Sequence, residues 1–163
     1  MTLGKADTST MQLPRKTFIM RYIWENEKMR RKFIIDGDNF EDMEGFFSEI
    51  DRVFTKNLTW KTGHNLDAFN DLLRGGFGIH EYGEPILIFW KNFSKSKNDF
   101  GYDAAVKHYE IILPRCHPSN RSHVKTMLEN ARHHTGKTLL DMIVEIILNT
   151  ENSGHDCELV TDE

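Results

Sequence analysis

The chain has 163 residues, of which 39% are hydrophobic and 28% charged, with a formal net charge of −4, a balance that suits one globular domain and excludes collagen, coiled coil and wholesale disorder. No apolar run approaches the roughly 18 to 20 residues that cross a bilayer, and the opening stretch MTLGKADTSTMQLPRK lacks the continuous apolar segment of a secretory signal. With only Cys116 and Cys157 as thiols, a cytoplasmic protein with reduced cysteines and no membrane partner is expected.

In chain order, residues 17–31 carry Phe18, Met20, Tyr22 and Trp24 at alternate positions, a strand pattern, although helical spacing fits parts of the same stretch. Residues 1–31 read as an N-terminal extension to a domain over 32–163. Lys32 to Asp36 is a first core strand, stopped by the turn residues Asp36, Gly37, Asp38 and Asn39. Asn39 then caps an amphipathic helix whose buried stripe is Met43, Phe46, Phe47, Ile50, Val53 and Phe54. After a loop with Leu58 and Trp60, Asn65 caps a short helix, LDAFNDLLR, ended by Gly75 and Gly76. Its apolar stripe is Leu66, Phe69, Leu72 and Leu73, so Asp67, Asn70, Asp71 and Arg74 share the exposed side.

Pro85 to Trp90 is an unbroken apolar run of strand length, as in a parallel strand covered on both faces. Helices are expected over Tyr102 to Leu113, ended by Pro114, over Ser122 to Ala131, and around Leu140, Ile143, Val144 and Ile147. A last strand falls around Cys157 to Thr161. Strands separated by helices imply an α/β fold, a small parallel sheet with helical cover and right-handed crossovers.

Charge is unevenly spread. Residues 34–71 carry 9 acidic and 3 basic groups and residues 138–163 carry 7 and 0, whereas residues 1–33 carry 3 and 8. Acidic surface repels phosphate, so a basic protein partner is a more natural expectation than direct nucleic-acid binding. Cys116, His117, His123, His133 and His134 cluster in sequence, but their spacing does not match the paired short spacings of a zinc site. Neither a metal nor another cofactor is expected, and an enzyme using that segment is the competing class.

The run GHNLDAFNDLLRG, with Asn65, Leu66, Asp67, Ala68, Asp71 and Gly75, followed by a strand ending in Trp90 and the pattern WKNFSKSK, resembles the barstar family of intracellular ribonuclease inhibitors. The likeness covers residues 32–97 and, by element order, 138–161. It implies a three-stranded parallel sheet packed with helices, with residues 101–137 as a helical insertion. It further implies that the second helix and the loop before it plug the active site of a small, basic, secreted ribonuclease, with Asp67 and Asp71 standing in for the RNA phosphate. Lys61, Asn70 and Gly75 fall at partner-facing positions by the same resemblance. The pattern departs where barstar has an aromatic between the two aspartates, here Asn70, and adjacent tyrosines, here Lys61 and Thr62. Trp60 and Phe77 are near enough in sequence to replace that lost area. An acidic position on the last helix aligns near Asn149, with Glu145 and Glu151 close by.

Overall fold

The computed structural model describes residues 30–162, apart from 57 and 78; the alternating stretch Phe18 to Trp24 lies outside them. The chain divides into two units, Met1–Arg30 and Arg31–Glu163, and every element below belongs to the second. Among the described residues there are three strands and seven helices. They run β1 (Arg31–Asp36), α1 (Met43–Phe54), α2 (Leu66–Arg74), β2 (Ile86–Lys91), α3 (Phe93–Asp99), α4 (Tyr102–Ile112), α5 (Arg121–Arg132), α6 (Leu139–Leu148), α7 (Thr150–Ser153) and β3 (Cys157–Thr161).

The strands form one parallel sheet in the order β1-β2-β3. Parallel neighbours share a face, so Phe33, Ile88 and Leu159 lie in one row and Ile35 and Trp90 in the next. On this face Ile35, Ile86, Ile88 and Trp90 are wholly buried, with α1 packed against β1 and α6 against β3. Phe40, Phe46 and Phe100 close round Trp90, Phe46 stacking on it at 5.8 Å. The opposite face is less enclosed than the apolar run PILIFW suggests. Leu87 is buried there, but Ile34 and Val160 are exposed and Phe89 is half-buried.

Helix ends show local corrections. Asn39 does not cap α1: residues Gly37–Asn39 form a 3-10 turn capped by Asp36, and Asp42 takes the capping role by accepting from the Gly45 amide at 2.8 Å. Asn39 instead donates through Nδ2 to Glu49 Oε2 at 3.0 Å. Gly37 is required by close approach, since a Cβ would meet the Asn92 carbonyl at 2.8 Å and the Lys91 carbonyl at 2.9 Å.

Helix α3 has no apolar stripe to announce it, and its leading residue Asn92 sits in the left-handed region without a side-chain cap bond. Tertiary contacts hold it. Ser96 Oγ accepts from the buried Trp90 Nε1 at 3.0 Å, and Lys95 Nζ donates to the Gly37 and Phe40 carbonyls. Helices α4 and α5 pack on each other, and α4 also meets α6. No described helix is long and apolar enough to cross a membrane.

Candidate partner-binding site

Helix α2 is defined at both ends by its own sequence. Asn65 Oδ1 accepts from the Ala68 amide at 2.8 Å, satisfying one of the amides that a helix start leaves open. Gly75 ends the helix at φ 77°, and a Cβ there would meet the Glu81 carbonyl oxygen at 2.2 Å, so no other residue fits. Phe69, Leu72 and Leu73 are buried, which turns Asp67 and Asp71 outward one turn apart, both exposed. Asn70 is half-buried between them, Lys61 is exposed, and Gly75 is buried under the chain that follows it.

The two aspartates differ in their partners. Asp71 Oδ1 accepts from Arg74 Nη1 at 2.9 Å, while Arg74 Nε also donates to the Ser153 carbonyl, tying the end of α2 to α7. No described residue hydrogen-bonds to the Asp67 side chain. Two like charges one helical turn apart repel by a few tenths of a kcal/mol, roughly 0.2 to 0.5. Arg74 relieves that repulsion on one side only.

The loop before α2 is clamped to α1. Asp51, only 8% exposed, accepts from the Thr62 amide at 3.0 Å through Oδ1 and pairs with His64 Nε2 at 2.8 Å through Oδ2. His64 Nδ1 lies 2.9 Å from Glu44 Oε1, and the ring stacks on Phe47 at 5.6 Å. His64 also holds a left-handed backbone, φ 46°, a conformation that costs a non-glycine residue energy and is retained here by these contacts. The bond to Asp51 raises the His64 pKa above its ordinary 6.5 against the opposing effect of burial, with Glu44 adding to the rise. For Asp51, burial pushes the carboxyl up, but the bonds from His64 and Thr62 more than reverse it and hold the pKa below 3.8.

Beside this clamp, Trp60 and Phe77 meet edge to face at 6.0 Å and both are about half exposed. With Lys61, Gly63, Asp71 and Leu72 they enclose a cavity of about 180 Å³. An aromatic wall thus adjoins one of the exposed carboxylates, although neither ring lies on α2 itself. Aromatic side chains of this kind, large and partly wet, carry a disproportionate share of interface energy.

A family model described as Barstar (barnase inhibitor) matches residues 30–157. The chain belongs to the barstar family. The match runs from the residue before β1 to the first residue of β3, and so takes in the whole strand, helix, helix, strand frame that presents α2. The expected barstar-like α/β fold, with its three-stranded parallel sheet, is the one observed. A search of curated proteins returns no match.

Other singled-out residues are dispersed. Asn149 is the exposed C-cap of α6, Glu145 pairs with Lys137, and Glu151 lies on α7. His117 caps the 3-10 turn Pro118–Asn120, His123 and His133 are exposed, and His134 stacks on Tyr102 at 5.2 Å. Among the described residues, no three His, Cys, Asp or Glu side chains gather in a way that could hold a metal ion.

The Asp51–His64–Glu44 clamp escapes a reading by periodicity. One signal was available: Asp51 falls four residues after Phe47 and three before Phe54, inside the apolar stripe of α1. A carboxylate in that position needs a polar partner.

Proposed function

We propose that this chain inhibits a small, basic, secreted ribonuclease by occluding its active site with α2 and the preceding loop. The observation that carries the reading is the outward pair Asp67 and Asp71 on the second helix of a barstar-family fold. Ribonuclease sites grip phosphate with Arg, Lys and His, and a carboxylate desolvated against such groups makes charge-assisted hydrogen bonds stronger than neutral ones. The chain's acidic surface would also speed encounter with a basic enzyme. No chemistry is required of the inhibitor, which acts by binding and by anion mimicry.

Within this reading Asp67 and Asp71 supply the charge, Lys61 and Asn70 border them, and Gly75 gives the helix end its shape. Trp60 and Phe77 supply the apolar area. The α4–α5 hairpin, within residues 101–137, is an addition to the shared frame, and the cytoplasm that makes the ribonuclease is the compartment protected. Asn70, Lys61 and Thr62, standing where barstar has aromatics, favour an enzyme other than barnase, so an immunity role against a different nuclease toxin is the second reading.

Mixing the protein with a panel of secreted bacterial ribonucleases at low salt tests the proposal. Inhibition of one of them by the wild type, weakened in Asp71→Ala, is the expected result. Equal inhibition by the variant, or none by the wild type across the panel, would count against it.

A further inference from the structure

A wide groove among the described residues lies away from α2. It encloses about 790 Å³ between the outer edge of β1 and the C-terminal part of α1, with walls that include Lys32, Ile34, Arg52, Val53, Lys56 and Leu58. In a parallel pair alternate residues direct their amide and carbonyl toward the neighbouring strand. The Arg31 amide donates to the Pro85 carbonyl at 3.1 Å, which assigns Arg31, Phe33 and Ile35 to the β2 side. Lys32, Ile34 and Asp36 therefore face outward.

One of these outward groups already has a partner of the required kind. The Asp36 amide donates to Glu49 Oε1 at 2.9 Å, so a carboxylate closes the far end of the edge. The amides and carbonyls of Lys32 and Ile34 have no hydrogen-bond partner among the described residues. An exposed strand edge of this kind is a template for a further strand.

Charge selects the strand. Lys32 and Lys56 are exposed with no carboxylate partner among the described residues. Arg52, though paired with Glu49, keeps 58% of its side chain in solvent, and Arg31 at the near end is 48% exposed beside Glu84. The one acidic wall residue, Asp36, is neutralised by Lys91 at 2.8 Å. Ile34, Val53 and Leu58 add apolar contact between the cations.

We infer that the outer edge of β1 is a docking site for an extended acidic peptide of a partner protein, which joins the sheet as a fourth strand. Its backbone pairs with Lys32 and Ile34, alternate acidic side chains on the α1 side meet Lys56 and Arg52, and the intervening apolar ones lie on the other face against Ile34 and the Lys32 stem. A polynucleotide shares the attraction to the cations but has no use for the strand edge or the apolar wall. The inference is independent of the ribonuclease reading, because the groove shares no wall residue with the cavity beside Asp71.

Fluorescence anisotropy on the full chain at low salt tests it, using a labelled seven-residue peptide that alternates glutamate with valine. Saturable binding is expected, weakened at least about tenfold by the joint substitution Lys32→Glu and Lys56→Glu and unchanged by Asp71→Ala. The same peptide N-methylated on alternate residues, which removes the strand hydrogen bonds without altering charge, should also lose at least about tenfold. Three results would overturn the inference: no saturable binding, equal binding of the N-methylated peptide, or displacement of the peptide by a single-stranded RNA oligonucleotide that binds more tightly. The N-methylated control keeps the test decisive should the double variant fail to fold.

Discussion

Two acidic residues of α1, Glu49 and Asp51, and two of α2, Asp67 and Asp71, have opposite fates. Glu49 and Asp51 on α1 are 3% and 8% exposed and fully engaged. Glu49 takes the Asp36 amide, Asn39 and both ends of a fork from Arg52, and Asp51 takes Thr62 and His64. Asp67 and Asp71 on α2 are exposed, and Arg74 is the one described side chain that reaches either. Burial at an already satisfied site makes a carboxylate part of the scaffold, whereas exposure with at most one surface ion pair leaves it for a partner.

The largest expected effect is on binding. Asp71→Ala should weaken inhibition of the cognate ribonuclease by about 2 to 5 kcal/mol, a range for truncating one member of a desolvated interface charge pair to which barnase–barstar pairs themselves contribute. The same change should move folding stability by no more than about 0.5 kcal/mol, as read by urea unfolding. Glu49→Ala inverts the pattern. It strips acceptors from the Asp36 amide and Asn39, and should lower unfolding free energy by about 2 to 3 kcal/mol while leaving inhibition per folded molecule intact. If Glu49→Ala weakened inhibition and Asp71→Ala did not, the contrast between the helices would be reversed.

A pH series sharpens the comparison at the clamp that joins the two helices. Because the folded-state pKa of His64 is raised, its stabilising contribution is complete below the unfolded value near 6.5 and is lost as pH climbs through the raised folded value. His80 and His155, buried and pushed downward by desolvation, work in the other direction and cost stability on acidification. The informative quantity is therefore the stability difference between wild type and His64→Gln, which should shrink steadily above pH 6.5. A pH-independent difference would show that the ring holds the loop by packing on Phe47 alone. The smallest effect belongs to the α4–α5 hairpin. Arg132, paired with Glu110 and Glu129 at the surface, should tolerate Arg132→Ala with no measurable change in unfolding midpoint or inhibition.

The order of the strands and of helices α1, α2, α4, α5 and α6, the burial of Phe46, Ile50, Phe69 and Ile143, and the exposure of Asp67 and Asp71 were all legible from the sequence. Spacing reports which side of an element meets a core, and these residues obey only that requirement. Helix α3 was not legible, since its sequence FSKSKND has no stripe and its contacts come from Trp90, Gly37 and Phe40. The start of α1 differs from the expected cap at Asn39 for a similar reason, because an Asn and an Asp three residues apart are equally good caps until Glu49 claims one of them. Trp60 and Phe77 flank α2 in sequence, but their meeting edge to face beside Asp71 depends on how the loops before and after α2 come together along it.

By itself, then, the sequence determined the α/β class, the family and the outward face of α2, because each depends on residue type, period and the order of elements along the chain. Beyond the hint that Asp51 falls within an apolar stripe, whether a given carboxylate serves the scaffold or a partner was decided in three dimensions. Asp51 and Asp71 are the same residue type on amphipathic helices, and what separates them is whether the fold brings a histidine and a loop amide to the oxygens or leaves one of them to solvent. That outcome is set by long-range packing, which brings Thr62 and His64 from the following loop onto Asp51.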